Sequence, residues 1–424
     1  MTDHPISNPQ VSSVIPHFDA VSRRSVVSDP PTIRSSDTLF PRRCSSLRAD
    51  EVGVAIQCRS AVSRSNHSPI HPFTSSSKNL PKQIFLTGGA GFFGSILKEE
   101  LLKLGYSCVS IDLEPDTYKH KNFTAVQGDI RNTALLEEIF NKFKFDAVFH
   151  CAAMLAHVKK DLKNLWTSNV DGTKNIAEMC TKHGVNKIVF TSSNCLWAKN
   201  FDTPVKENQI PEPVEIYGKS KAEGEKILLS YKSFNTVVFR CPTIMDEGRL
   251  GLLGILFEFI DENRKLWMVG DGKNKYQFIY AKDLVSACIK ALDYNKTDIF
   301  NIGSDNVKTF NEVYKYVIDK SGSKSKLIHL PKWFMILGMK ICYMLGISPL
   351  GPYQYKMIAE NFIFDTEHIK KELGFVPTKT NEEMLFTAYE YFHKNKKEIL
   401  SRTNVSAHKS VAKMGIIGII KFFS

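Results

Sequence analysis

Tyr217 and Lys221 stand four residues apart in Tyr217-Gly-Lys-Ser-Lys221. That spacing places a phenol and an ammonium on one face of a helix. A neighbouring ammonium favours phenolate and lowers the phenol pKa. Tyr217 is then suited to exchange a proton with a substrate hydroxyl near neutral pH. The pattern alone says little, because with 14 Tyr a chance copy is expected, and one occurs at Tyr316–Lys320. That copy falls in a late helical region and reads as a surface pair. The Tyr217 copy opens the helix after Thr191-Ser-Ser-Asn-Cys-Leu-Trp197. There Ser193 is expected to bridge the substrate hydroxyl and Tyr217, a strand-end cap being its other reading.

A second group of residues suits phosphate. Thr87-Gly-Gly-Ala-Gly-Phe-Phe-Gly94 follows an apolar strand and opens a helix. Gly88 allows a tight turn, Gly91 a close approach of pyrophosphate, and Gly94 close packing of helix on sheet. The helix N-terminus, past Phe92 and Phe93, offers free N–H groups and the positive end of its dipole. Asp112 closes the next strand, 21 residues after Gly91. A carboxylate there accepts from adenosine ribose hydroxyls and repels a 2′-phosphate, so NAD is the expected cofactor. Asp129 and Ile130 end the third strand, where adenine is expected to lie.

The elements that must position these groups show as alternation. Apolar strands are expected at Gln83–Thr87, Cys108–Asp112, Thr124–Gly128, Asp146–His150, Lys187–Thr191, Thr236–Arg240 and Ile299–Ile302. Helical periods lie between them, among them 162–182 and 217–231. Nearly continuous apolar strands separated by helices imply a parallel sheet covered on both faces. The fold class is therefore α/β, a Rossmann-type doubly wound parallel sheet with a smaller, mostly helical C-terminal substrate lobe. The expected boundaries are a core over 81–245, joined again by 282–305, and a lobe over 246–281 and 306–400.

Composition bounds the alternatives. The chain has 424 residues, 43% hydrophobic and 24% charged, which fits a globular protein. Its nine cysteines form no CxxC pair, which argues against a zinc cage or disulfide framework, so no metal is expected. Residues 1–80 hold eight of the 13 arginines and 17 serines, with no apolar periodicity, and read as a disordered tail. An organelle-targeting segment is the alternative for them; the location expected for the whole is the cytoplasm. The +12 net charge is spread over scattered lysines without any nucleic-acid-binding signature, so nucleic acid is not an expected partner.

The ordered set Gly88/Gly91/Gly94, Asp112, Asp129-Ile130, His150-Cys-Ala-Ala153, Asn169-Val-Asp-Gly-Thr173, Thr191-Ser-Ser193 and Tyr217–Lys221 resembles the extended short-chain dehydrogenase/reductase family, in its NAD-dependent epimerase/dehydratase branch. The likeness continues through Gly270-Asp-Gly272, Phe278–Leu284 and Asn301–Ser304, covering about 82–400. It implies that Ser193, Tyr217 and Lys221 form the catalytic triad and that Ala152, Ala153 and Asn169 join the cofactor site. It also implies a homodimer through the helices over 162–182 and 217–231.

Within the branch, Ser193-Asn194-Cys195 replaces the Thr-Asp-Glu of 4,6-dehydratases, so dehydration is not expected. A nucleotide-sugar 4-epimerase is the favoured reading. Such enzymes resemble this chain but grip the diphosphate with an Asn and an Arg where Thr243 and Tyr276 stand; Arg249 and Arg264 are candidate substitutes. The rival is a 3β-hydroxysteroid or sterol dehydrogenase, whose Gly270–Tyr280 region this chain also resembles. The substrate is accordingly a nucleotide sugar or a sterol-like alcohol. The apolar stretch 333–350 is expected to be a buried lobe helix, with a membrane contact or a pocket roof as alternatives. The apolar tail 401–424 is expected to dock, with a peripheral membrane anchor over 413–424 as the alternative.

Overall fold

The computed structural model describes residues 83–155, 161–197, 199–347, 351–402 and 411. The segment 1–80, and all of 401–424 except Ser401, Arg402 and Val411, lie outside the described residues.

The strands form where the apolar runs predicted them, with ends shifted by a residue or two. They are β1 (Gln83–Thr87), β2 (Ser107–Asp112), β3 (Phe123–Gln127), β4 (Ala147–His150), β5 (Lys187–Ser193) and β6 (Asn235–Cys241). Helices α1 (Phe92–Lys103), α2 (Thr133–Lys142), α3 (Leu162–Asn169), α4 (Asp171–His183) and α5 (Ile216–Ser230) connect them. The single helix expected over 162–182 is interrupted at Val170, a bend that turns Asn169 onto the Met154 backbone.

Further along come β7 (Thr243–Met245), α6 (Leu252–Asp261), β8 (Leu266–Val269), β9 (Phe278–Tyr280), α7 (Ala281–Ala291) and β10 (Asp298–Asn301). The chain ends with α8 (Phe310–Ser321), β11 (Leu327–Leu330), α9 (Lys332–Met344), α10 (Pro352–Met357), α11 (Glu367–Leu373) and α12 (Asn381–Ser401). Seven parallel strands form one sheet in the order β10-β6-β5-β4-β1-β2-β3. Alternate residues face opposite layers. Ile84 and Leu86 pack with Leu97 and Leu101 of α1 and Leu284 and Cys288 of α7. Phe85 packs on the other face, with Leu136 of α2, Ile176 of α4 and Leu228 of α5. Strands buried on both faces are what continuous apolar runs require. The late region is mostly helical, as expected, but adds two small parallel pairs, β7–β9 and β8–β11.

Helix α9 corrects an expectation. It lies within the apolar 333–350 stretch that was expected to be buried, yet none of its residues is buried. Apolar content sets a tendency to bury; burial itself needs an element on the other side, and among the described residues α9 packs chiefly against α10 and β8.

The crossing of β1 into α1 is the tightest point near the sheet edge. Gly88 adopts φ +79°, and a Cβ on Gly94 would lie 2.0 Å from the Gly88 carbonyl oxygen. Gly94→Ala must displace backbone rather than a side chain. It is expected to cost about 1–3 kcal/mol in thermal or denaturant unfolding and to abolish the stabilisation conferred by NAD; an unchanged melt would overturn this account of the turn.

Candidate active site

The loop after β1 is shaped for a dinucleotide. Gly91 caps α1 with no side-chain hydrogen bond, leaving the first helical N–H groups free of side-chain caps. A Cβ on Gly88 would approach the Ala152 nitrogen to 2.8 Å, so the loop after β4 closes on the loop after β1. Asp112 reaches the same loop: Ala90 N–H donates to one carboxylate oxygen at 2.9 Å and Glu114 N–H to the other at 3.1 Å. Phe93 packs into the core and Phe92 lies beneath the Arg249 guanidinium, 5.5 Å from its ring centre. Asp129 is held by a forked ion pair with Arg131, which lowers its pKa. Ile130 is buried against Gly172 of α4. Ala153 lies half-buried in the loop after β4. Both phosphate-seeking features, bare helix N–H groups and a cradle that a Cβ would fill, fit the cofactor.

A buried polar chain ties this loop to the Tyr217 helix. Ala152 N–H donates to Thr87 Oγ1 at 3.1 Å, and Thr87 Oγ1 meets His150 Nδ1 at 2.7 Å. His150 Nε2 meets Thr173 Oγ1 at 2.8 Å, and Thr173 Oγ1 donates to the Asn169 carbonyl at 2.6 Å. Since the Thr173 hydroxyl proton is committed to Asn169, Nε2 is the donor and Nδ1 the acceptor, a neutral imidazole. Burial, and then the Lys221 charge, push the His150 pKa down to about 3. The Asn169 amide donates to Met154 O and to Ser220 Oγ at 3.0 Å each, and Ser220 Oγ donates to the Tyr217 carbonyl at 2.8 Å.

Ser193, Tyr217 and Lys221 come together at the C-terminal edge of β5. Ser193 lies close enough to the Tyr217 phenol to oppose the rise in its pKa, and the Ser193 hydroxyl accepts from Cys195 N–H at 3.1 Å. Helix α5 comes this close because residue 218 is glycine: a Cβ there would lie 2.1 Å from the Cys195 oxygen. Lys221 is buried, donates to the Thr191 carbonyl at 2.8 Å, and lies 4.6 Å from the Phe190 ring centre. Burial brings its pKa down to about 8.

Burial raises the Tyr217 pKa, and Ser193 and the Arg249 charge oppose that rise. Lys221 donates to the Thr191 carbonyl, and Arg249 adds a second cation near the phenol.

Two features escaped the sequence reading. Glu225 lies one turn beyond Lys221, on the same helix face as Tyr217. It forms a buried ion pair with Arg240 of β6, at 2.8 Å, and accepts from Ser192 Oγ. The eight-residue step from Tyr217 was visible in sequence; its β6 partner was not. The second is Asn194, whose amide donates to Tyr276 Oη at 2.7 Å. Thr243 Oγ1 lies 3.3 Å from the same oxygen, and the Tyr276 ring packs among Phe278, Phe310 and Phe362. Thr243 and Tyr276 thus meet each other and Asn194 in an aromatic wall. Of the other two candidates, Arg264 pairs with Glu262 at 3.7 Å, whereas Arg249 has no carboxylate partner among the described residues. Tyr316 packs on Phe386 while Lys320 is exposed, the surface pair expected.

The NAD dependent epimerase/dehydratase family model matches residues 84–303, just over half of the chain. An uncharacterized protein of Sinorhizobium fredii is 31% identical over 345 residues, 80% of this chain and 86% of that one. A putative UDP-glucose 4-epimerase of Methanocaldococcus jannaschii is 31% identical, over 58% of this chain and 85% of its own. The mouse (Mus musculus) sterol-4-alpha-carboxylate 3-dehydrogenase, decarboxylating, is 24% identical over 75% of this chain and 92% of its own. The crystal structure of UDP-glucose 4-epimerase with UDP-glucose from Thermotoga maritima has the same fold, with TM-score 0.62 and 23% identity over 74% of this chain and 99% of that one.

The neutral His150 carries a pH signature. Its folded-state pKa lies below the value near 6.5 of an unfolded histidine, so the unfolded chain binds the extra proton and stability falls as pH drops from about 6.5 toward 3. His150→Gln keeps one donor and one acceptor and removes that titration. The melting temperature of the variant should decline less steeply between pH 6.5 and 4 than that of the native chain; parallel declines would refute the neutral assignment.

Proposed function

The chain belongs to the NAD-dependent epimerase/dehydratase family, and on that premise we propose that it moves a hydride between a substrate carbinol and NAD as a nucleotide-sugar 4-epimerase. The observation that carries the chemistry is the Ser193 hydroxyl set against the Tyr217 phenol, with Lys221 buried one turn further along the same helix. Bound at the β1–α1 loop, with Asp112 on its ribose and Asn169, Ala152 and Ala153 along the adjoining loop, NAD supplies the hydride acceptor. Tyr217 takes the proton of the substrate hydroxyl. Ser193 orients that hydroxyl and donates to the oxygen as it becomes a carbonyl. Arg249 favours the phenolate form of Tyr217, and Lys221 holds the cofactor side of the pocket.

The nucleotide-sugar reading is supported by Arg249. Among the five arginines of the described residues, Arg131, Arg240, Arg264 and Arg402 each pair with a carboxylate, and Arg249 does not. Burial lowers its pKa to about 10, still charged at neutral pH. A guanidinium with no carboxylate partner among the described residues, near the phenol, suits an anionic substrate such as a nucleoside diphosphate sugar. The relative named as a UDP-glucose 4-epimerase agrees. A 3β-hydroxysteroid/sterol dehydrogenase is the second reading, favoured by the aromatic wall around Tyr276 and by the mouse sterol relative. The same proposal has the enzyme act in the cytoplasm as a homodimer through α3, α4 and α5, which its mass in solution tests.

Thermal-shift titration of the full chain tests the substrate class. NAD, then UDP, GDP, dTDP and CDP each added with NAD, should show one nucleoside diphosphate that stabilises further, by about 2.7 kcal/mol at 100 times its dissociation constant. Arg249→Ala should lose that increment while keeping the NAD shift. No response to any nucleoside diphosphate would favour the sterol reading. Tyr217→Phe should keep both shifts and lower turnover by about 10²–10⁴-fold; near-native turnover would remove Tyr217 from proton transfer.

A further inference from the structure

Among the described residues, one apolar face is left without cover. Over α9 and the turn after it, Trp333 is 70% exposed, Phe334 51%, Leu337 50%, Met344 64% and Leu345 68%. Trp333, Leu337 and Ile341 follow the four-residue helical step, so they lie along one side. Isolated exposed apolar residues are ordinary; a run of this kind on one helix marks an interaction surface.

The charge around it selects the partner. From Lys320 to Ala359 the sequence holds six lysines and a histidine and no Asp or Glu. Lys320, Lys324, Lys326 and Lys340 are exposed. None of these four has a carboxylate partner among the described residues, whereas Lys332 pairs with Glu360 at 2.8 Å, where the acid-free stretch ends. In a chain with 44 acidic residues, a stretch of this length without one gives the segment that carries α9 a net positive charge, with the exposed Lys340 on α9 itself.

We propose that α9 and the turn after it form a docking face for an anionic lipid bilayer. Trp333, Phe334, Leu337, Ile341 and Met344 enter the headgroup region, while the lysine stems lie along the surface with their ammonium groups on lipid phosphates and carboxylates. The helix has 13 residues, about 20 Å at 1.5 Å per residue, short of the ~30 Å hydrocarbon core. No helix of the described residues is long and apolar enough to cross a membrane. The contact is therefore peripheral. It does not depend on the reaction assigned above, because no residue of α9 belongs to the active site.

Vesicle sedimentation of the full chain tests this. Phosphatidylcholine vesicles containing roughly one quarter phosphatidylserine should bind at least about tenfold more protein than phosphatidylcholine alone, because surface lysines are attracted to the anionic leaflet. Binding should fall in ~1 M salt, where the Debye length shrinks to about 3 Å. The pair Trp333→Glu with Leu337→Glu should remove binding and leave the NAD thermal shift unchanged, since neither side chain is buried. Three results would overturn the proposal: no binding of the native chain, binding that survives the double substitution, or self-association that the double substitution abolishes. The last would make a second copy of this chain the occupant.

Discussion

The site depends on one run of buried hydrogen bonds, from Ala152 through Thr87, His150 and Thr173 to Asn169, and on through Ser220 to Tyr217. It joins β1, β4, α4, α3 and α5, the elements that carry the dinucleotide loop and the phenol. Each link is committed by its neighbour, so the imidazole has one admissible tautomer. A buried group left without its partner costs about 1–3 kcal/mol, and here each loss would also loosen the spacing between loop and phenol.

A second constraint fixes how α5 lies on the sheet. Glu225 and Arg240 pair out of water, and such a pair is stable only when its remaining donors and acceptors are satisfied. Ser192 and the Glu207 carbonyl meet that need, and the guanidinium lies 5.2 Å from the Trp197 ring centre. One end of α5 is thus anchored by charge and the other by the Gly218–Cys195 approach. Tyr217 and Lys221 lie toward the second end, where small shifts would alter the distance to Ser193. Meanwhile Arg249 is the one arginine of the described residues left free for something other than structure.

Much of this could be read in advance. Parallel strands covered on both faces leave apolar runs too continuous to mistake, so all seven were legible. The dinucleotide loop was legible because glycine is demanded where Gly94 nearly touches the Gly88 carbonyl. Ser193, Tyr217 and Lys221 could be named by type and order, but nothing in a four-residue spacing says that the Lys221 ammonium donates to Thr191 O. Arg249 could be named, not ranked, since its lack of a carboxylate is a property of the whole surroundings. Helix α9 misled for the opposite reason. Its apolar residues have the composition of a core, and composition does not reveal whether another element arrives to cover it.

The sheet order carries a consequence for how the chain is made. β10 pairs with β6, yet the β7, α6, β8 and β9 segments are synthesised between them. Six strands and the whole Ser193–Tyr217–Lys221 cluster can therefore assemble while the β6 edge still lacks its neighbour. A nascent chain halted before residue 298 would hold that cluster but present an unpaired strand edge, the feature that invites other strands to add. Ile299 and Phe300 close that edge against Val238 and Phe239, so the late-made β10 works as a seal on an early-made site.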